Sequence, residues 1–470
     1  MVAFFKINAI GRMLMLFVLF CLLRGLFLWN NVPLLIPEIQ WLALAERMQE
    51  GFMPYISIWD DTSPLSALVY WLLGSSFGKN ILPLHILAAI LVFMQGFILN
   101  STFIRAKIYE ERTLIPLFLY LILSNLFLDW LILSPMMMAT TFIILSIRHI
   151  FLHLNENVSK SQAFEIGFYL GLAVMFYLPL FILLLLPLFV FAVFTGTKAR
   201  DYILMFFAFL LPFLLILSLF FVVGGEKDFI VNGILSMFFL GNMHYLATSS
   251  ILLVLIVPTT LIILGFLMIL QSNRYTNYQL RCQQIMFLTL LNMCLSLLLG
   301  SIFSGMNFYI FLPVIVFFGS FYFLGAQKWF IAETVMILIF VASLIGTTSI
   351  ILKILPEEYT YFLRGEIISE DNKMQANLLK NKKILVLGSD LSAYRYASLA
   401  TPYLNAQLSS RHFDKLDDYF VLTEIYNNFK KDMPQIIVDK QNLLPKIFQK
   451  MPLLAREYKI TTQKGIYQRN

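Results

Sequence analysis

Five carboxylates and one arginine fall within the stretch Pro37 to Leu65, PEIQWLALAERMQEGFMPYISIWDDTSPL, between two strongly apolar segments. The acids are Glu38, Glu46, Glu50, Asp60 and Asp61, and the base is Arg47. A carboxylate so placed can orient a hydroxyl or take its proton, and works best when its pKa is tuned toward the working pH. Ionisable groups at a membrane face are costly unless paired or solvated, so this stretch is the first place to look for function. Glu38, Asp60 and Asp61 are the candidate catalytic residues. A plainer reading stands beside the catalytic one. Proline followed by glutamate is an ordinary helix start, and Asp61, Thr62 and Ser63 before Pro64 are ordinary capping residues.

The elements that must hold these groups follow from spacing. Trp41, Leu44, Ala45 and Met48 recur at helical intervals, with Glu38, Gln40, Glu46, Arg47, Gln49 and Glu50 over the remaining surface, which predicts an amphipathic helix at the membrane interface. Gly51 ends it. Pro54 and Tyr55 then lead into an extended segment that delivers Trp59, Asp60 and Asp61 to a helix starting at Pro64. This layout brings Glu38 and the aspartate pair to one membrane face.

The setting is a polytopic membrane protein, because 59% hydrophobic residues, 13% charged residues and a mean hydropathy of +0.79 over 470 residues exclude a soluble globular chain. Runs that approach or exceed the roughly 20 apolar residues of a spanning helix cover 11–30, 81–103, 201–223, 250–271, 281–301, 306–327 and 331–353. Segments 112–130 and 131–152 read as a hairpin around Asp129, and 163–196 breaks near Tyr177, Leu178 and Pro179. The first run follows Lys6 and Arg12 but is too long for a signal-peptide core and contains Arg24, so it reads as a span. Cys21, Cys282 and Cys294 lie in or beside apolar runs without metal-ligand spacing and read as packing residues. Basic residues in the short loops favour a cytoplasmic N-terminus. The stretch 64–78 is short for a span, and the expected total is odd, 11 to 13 transmembrane helices.

Composition changes near residue 356. Residues 1–355 are expected to form the transmembrane domain, with 31–64 as an acidic external loop carrying a juxtamembrane helix, and 356–470 a small extracytoplasmic α/β domain. Its predicted elements are a strand Lys383 to Gly388, a helix Tyr419 to Phe429, a strand Gln435 to Asp439, a helix Leu443 to Tyr458 and a final strand Lys459 to Tyr467. The single glycine of the VLGSD turn is not a dinucleotide fingerprint.

An acidic residue, a helix ending in glycine, then Pro54-Tyr55, Trp59-Asp60 and Ser63-Pro64-Leu65 resemble the first external loop of the GT-C superfamily of polyprenyl-phosphate-sugar glycosyltransferases, in its protein mannosyltransferase and aminoarabinose transferase branches. The late span, Asn307 to Pro313, and the C-terminal α/β domain extend the resemblance. It implies an integral membrane enzyme of a bacterial cytoplasmic (inner) membrane that moves a sugar from a polyprenyl-phosphate carrier to a cell-envelope or protein acceptor at the outer face, with inversion. A carboxylate would act on the acceptor hydroxyl, and cations or a divalent metal would stabilise the departing phosphate.

Three positions depart from the family's pattern. Pro37 stands where the family's leading aspartate is expected, no carboxylate lies in Ser134 to Met138, and Met306-Asn307-Phe308-Tyr309 replaces a basic or histidine start to the late span. The alternative is a non-catalytic scaffold or assembly subunit on the same fold. A transporter would need midplane charges and paired repeats, which the sequence does not display.

Substrate-binding candidates are Arg24, Arg47 and Lys79 for phosphate, with Tyr55, Trp59, His244, Tyr245 and Tyr309 as aromatic or polar walls. The partners implied are membrane lipid, the lipid-linked sugar and an acceptor glycan, lipid or protein. The net charge of +7 is absorbed by orientation signals and the C-terminal region, and does not point to nucleic acid.

Overall fold

The computed structural model describes residues 1–29, 33–154, 162–239, 243–244, 248–271, 275–300, 302–326, 328–351, 377–461, 463 and 465–470. The chain forms two compact units. The boundary expected between residues 355 and 356 lies outside the described residues.

The first unit comprises Met1–Val32, Ile81–Ile216 and Asn242–Glu366 and is helical. Each of the seven long apolar runs forms a helix. By length and composition, six helices among the described residues can cross a membrane: Ile10–Trp29, Leu82–Arg105, Pro135–His153, Ala199–Val223, Asn277–Leu297 and Gly305–Gly325. Five further apolar helices are shorter, among them Pro64–Phe77. Together they make the chain a multi-pass membrane protein. Gly305–Gly325 is mostly buried, whereas Ala199–Val223 is mostly exposed and turns apolar side chains outward. Without a hydrophobic driving force between helices in lipid, close backbone approach has to supply the packing. Gly265 shows this: a Cβ there would lie 1.9 Å from the Phe318 carbonyl oxygen. The break expected near Tyr177 is present. Helix Gln162–Phe176 gives way to a 3₁₀ stretch, Leu178–Leu184, because Pro179 keeps the preceding backbone from continuing the helix.

The second unit comprises Pro33–Asn80, Leu217–Gly241 and Ile367–Asn470. Its sheet has five strands in the order Ser398–Leu399, Lys383–Leu387, Ile436–Asp439, Ile466–Arg469, Tyr458–Ile460. The first three are parallel and the last two pair antiparallel. The two apolar strands read from the sequence are its central pair, with Val386 opposite Val438. Leu385, Ile437, Ile425, Phe429, Leu444 and Ile447 build the core beneath them.

Two expected elements are divided. The helix expected over Leu443 to Tyr458 is Leu444–Lys450 and Pro452–Ala455, since Pro452 cannot continue the ladder and Met451 leaves helical geometry at φ −127°, ψ 75°. The final strand is a hairpin, Tyr458–Ile460 and Ile466–Arg469, turned through Gly465 at φ +80°.

The helix Ile36–Gln49 starts with proline in its first turn and packs on Pro64–Phe77, where Trp41 stacks on Tyr70 with centroids 4.9 Å apart. It is not amphipathic in the sense expected: Glu38, Gln40 and Arg47 are buried together with Trp41, Leu44 and Ala45, because the 3₁₀ turn Ser392–Arg395 and the strand Ser398–Leu399 pack against it. The segment after Gly51 is a tight turn rather than extended chain. Tyr55 sits at φ +68° and its N–H donates to the Ile58 carbonyl at 2.8 Å.

Candidate functional site

Glu38 is the third residue of its helix, and its Oε2 accepts the Leu35 N–H at 3.1 Å. This is the local bond that a proline-led helix start invites. Two residues on, Gln40 reaches across to the aspartate pair: its side-chain amide donates to Asp60 Oδ1 at 2.5 Å and to Asp61 Oδ1 at 3.4 Å. Glu38 and Asp60 both act electrostatically on the Tyr70 hydroxyl. The structure therefore joins Asp60 and Asp61 through Gln40, with Glu38 two residues before Gln40 on the same helix.

Asp60 is fully buried, while Asp61 is half-buried. Burial, and then the charge of Asp61, push the Asp60 carboxyl up to about 7 against the opposing hydrogen bonds from Thr62 and Gln40. Asp60 is thus poised to exchange a proton near neutrality. Tyr55 closes the cluster from below. Its hydroxyl donates to the Thr62 carbonyl at 2.5 Å, and burial followed by the charges of Asp60 and Asp61 pushes the phenol well up, so it remains a donor. Asn232 fixes its backbone by donating to the Tyr55 carbonyl at 2.9 Å.

The C-terminal segment supplies the outer partner. The Trp59 N–H donates to the Pro402 carbonyl at 2.7 Å, the Asn405 N–H returns to the Trp59 carbonyl at 2.9 Å, and Asn405 Nδ2 donates to Asp61 Oδ1 at 2.8 Å. The Trp59 ring packs edge-on to Tyr403 and His412. Gln40 and Asn405 were missed in the sequence. Gln40 looked like one more polar position on a helix surface, and nothing local to Asn405 points to a residue 344 positions away.

The two cations nearest the loop in sequence are engaged. Arg47 is fully buried, pairs with Glu50 and with Asp432, and lies 4.1 Å over the Phe52 ring. Asp432 also accepts from Lys383 at 3.1 Å and from the Thr401 N–H and hydroxyl, each at 3.0 Å. Burial alone would raise its pKa, but these donors together with Arg47 hold the carboxyl below the usual range. Lys79 pairs with Glu46 at 3.1 Å and donates to the Tyr394 and Ala397 carbonyls.

Arg24 and Tyr309 belong to the helical unit. Arg24 is buried and donates to the carbonyls of Leu131 at 3.1 Å and of Ser124 and Trp130 at 3.3 Å, in the stretch between Ile115–Leu123 and Pro135–His153 that holds the 3₁₀ turn Leu128–Trp130. A broken backbone thus offers the oxygens that a mid-span arginine requires. The Tyr309 and Tyr120 hydroxyls both donate to Gln95 Oε1 at 2.7 Å. No carboxylate occupies Ser134 to Met138, but the buried Asp129 lies just before it and accepts the Met306 N–H at 3.2 Å. His244 contributes backbone to a two-residue parallel pairing with Phe303, and Tyr245 lies outside the described residues.

Among the described residues, no three His, Cys, Asp or Glu side chains converge as a metal site. An apolar cavity of about 470 Å³ in the helical unit is lined by Phe189, Val193, Phe266, Ile269, Phe287 and Phe318, a lining suited to hydrocarbon.

No protein-family model matches the chain, and no curated relative matches it by sequence. Solved structures do. ArnT from Cupriavidus metallidurans bound to undecaprenyl phosphate aligns over 98% of this chain and 98% of its own, at 11% identity and a TM-score of 0.57. Two looser alignments are to an Archaeoglobus fulgidus oligosaccharyltransferase in complex with Zn and sulfate and to the archaeal oligosaccharyltransferase AglB from Archaeoglobus fulgidus in complex with an inhibitory peptide and a dolichol-phosphate. The first has 12% identity, 95% and 71% coverage and a TM-score of 0.48; the second has 13%, 97% and 74%, and 0.49. Aligned from end to end with ArnT, this chain is a multi-pass membrane protein with the fold of that protein, a many-helix body with a small C-terminal sheet.

Proposed function

We propose that this protein is an integral membrane glycosyltransferase that moves a sugar from a polyprenyl-phosphate carrier to a cell-envelope or protein acceptor. In this reading it works at the outer face of a bacterial cytoplasmic membrane, with a cytoplasmic N-terminus and an extracytoplasmic C-terminal domain, residues 356–470. The observation that carries the reading is the Asp60–Asp61 pair, with one carboxyl held near 7 beside the other, in a chain sharing the fold of ArnT, a protein bound to undecaprenyl phosphate.

Asp61, the half-buried member, orients the acceptor hydroxyl and takes its proton as the oxygen attacks the anomeric carbon. The bond from that carbon to the phosphate oxygen breaks, its electron pair leaves on the polyprenyl phosphate, and the configuration inverts. Asp60 exchanges the proton onward, and Glu38 supports the pair through Tyr70. Arg24, Arg47 and Lys79 are the proposed cationic surroundings of the phosphate, with Tyr55, Trp59, His244, Tyr245 and Tyr309 as walls.

A second reading, a non-catalytic scaffold on the same fold, is favoured by one observation. Arg47 and Lys79 are committed to internal partners, and Glu38 closes its own helix start.

Transfer from a panel of radiolabelled polyprenyl-phosphate sugars by protein purified into lipid, with and without added divalent metal, separates the two. The transferase reading expects turnover by the wild type and a loss of about 10²-fold or more in Asp60→Asn plus Asp61→Asn, the range of positioned acid–base catalysis. Glu38→Gln is expected to lose less. No turnover from any donor, with lipid binding unchanged in both variants, establishes the scaffold.

A further inference from the structure

We propose that Asn405 is a positioning residue of the acidic loop, whose side-chain amide, oriented by the helix it caps, holds the Asp61 carboxylate in register beside Asp60. The contact stands on geometry alone. Its consequence for the reaction rests on the transferase reading above.

The orientation of the amide follows from its two ends. Asn405 is the N-cap of helix Ala406–Phe413, and its Oδ1 accepts the N–H groups of Gln407 at 2.9 Å and Leu408 at 3.0 Å. Only the oxygen of an amide can accept both, so the NH₂ end must face the other way. There it meets Asp61 Oδ1 at 2.8 Å. The Asn405 backbone is tied to the same loop, because its N–H donates to the Trp59 carbonyl while the Trp59 N–H donates to Pro402. Asn405 is 6% exposed, so its donation is sheltered from competing water. Asp61 is thus held from two sides, by Asn405 of the C-terminal segment and by Gln40 of the helix Ile36–Gln49. The ionisable groups that also act on the pair are the Tyr55 phenol and the Tyr70 hydroxyl, with Glu38 beyond Tyr70. A residue far along the chain therefore completes the loop that the sequence motif begins.

Asparagine and aspartate cap helices about equally well, which makes Asn405→Asp a test of the contact that spares the cap. It leaves two carboxylates facing each other where a donor met an acceptor. Melting of the full-length protein in lipid is expected to fall by about 3 °C at pH 8, as for a destabilisation of ordinary size, and by less at pH 5, where one of the two can be protonated and donate. The swapped double variant, Asn405→Asp with Asp61→Asn, restores a donor and acceptor across the same gap and is expected to melt within about 1 °C of wild type. Asn405→Asp melting with the wild type at both pH values, or a swap no more stable than Asn405→Asp alone, overturns the proposal. In the transfer assay, kcat of Asn405→Asp is expected to fall about 10-fold with the donor KM unchanged, and the swap to stay inactive because residue 61 no longer carries a carboxylate. Full turnover by Asn405→Asp overturns the positioning role. If wild type turns over no donor, the transferase reading falls and the catalytic role of Asn405 falls with it, while the melting cycle still decides whether Asn405 holds Asp61.

Discussion

Asp60 and Asp432 are both buried aspartates of the C-terminal-sheet unit, yet their surroundings drive them in opposite directions. Asp432 meets Arg47, Lys383 and two donors from Thr401, and is held ionised. Asp60 meets a second carboxylate, two neutral donors and no cation among its described partners, and is held close to neutrality. The first arrangement joins segments 385 residues apart. The second spends stability to keep a proton available, and such tuning clusters at functional sites. The difference separates a carboxylate that joins distant segments of this unit from one whose surroundings oppose its ionisation.

The largest effect on stability is expected from breaking the Asp432 side. Among the described residues, Asp432→Ala leaves the fully buried Arg47 guanidinium with the more exposed Glu50 as its remaining ion-pair partner, and removing one partner of a buried pair costs about 3 kcal/mol. Denaturation of the lipid-embedded protein measures this, and a cost below about 1 kcal/mol would show that the pair does not hold the fold. A smaller effect of opposite character is expected from Asp60→Asn. The folded pKa of Asp60 lies above its unfolded value of about 3.9, so its contribution to stability is fully present below pH 4 and is lost as pH rises through about 7. Wild type should lose a few kcal/mol at most relative to Asp60→Asn between pH 4 and pH 8, and equal stability of the two proteins across that range would remove the contrast. Asp432 behaves the other way: with its folded pKa depressed, its contribution is present above the unfolded pKa and lost as pH falls through the folded value.

What could be read in the sequence, and what could not, follows the same division between local and distant causes. The seven apolar helices, the break at Pro179 and the strands around Val386 and Val438 are written in runs, prolines and local periodicity. The return of the chain from the helix Ile36–Gln49 to Asp60 and Asp61 was legible because the intervening turn is short. The misread helix Ile36–Gln49 shows the limit. Its polar face looked solvated because Gln40 and Arg47 find partners 20 and 385 residues away, and no local pattern announces a partner at that distance. Asn405 reads as an ordinary helix cap, which it is, and its second role appears only when Trp59 is paired with Tyr403. Pro452 and Gly465 were visible in the sequence, and giving them their usual weight would have divided the last helix and the last strand correctly.

The smallest effect is expected at Glu46, where the comparison is sharpest because the ion pair is neither deeply buried nor forced against a like charge. Its partner Lys79 is about one-third exposed, and water screens the attraction. Lys79 also donates to the Tyr394 and Ala397 carbonyls, so losing the carboxylate leaves the ammonium held by the backbone. Glu46→Gln should therefore change stability by less than about 0.5 kcal/mol while freeing part of the Lys79 charge. If Lys79 contributes to the cationic surroundings of a lipid phosphate, the variant should bind undecaprenyl phosphate more tightly than wild type by a factor of about 2 to 5, the size of a coupling near 1 kcal/mol or less. Unchanged affinity in the variant, together with unchanged affinity in Lys79→Met, would assign Lys79 to the same class as Arg47, a cation whose work is to join two segments of the chain.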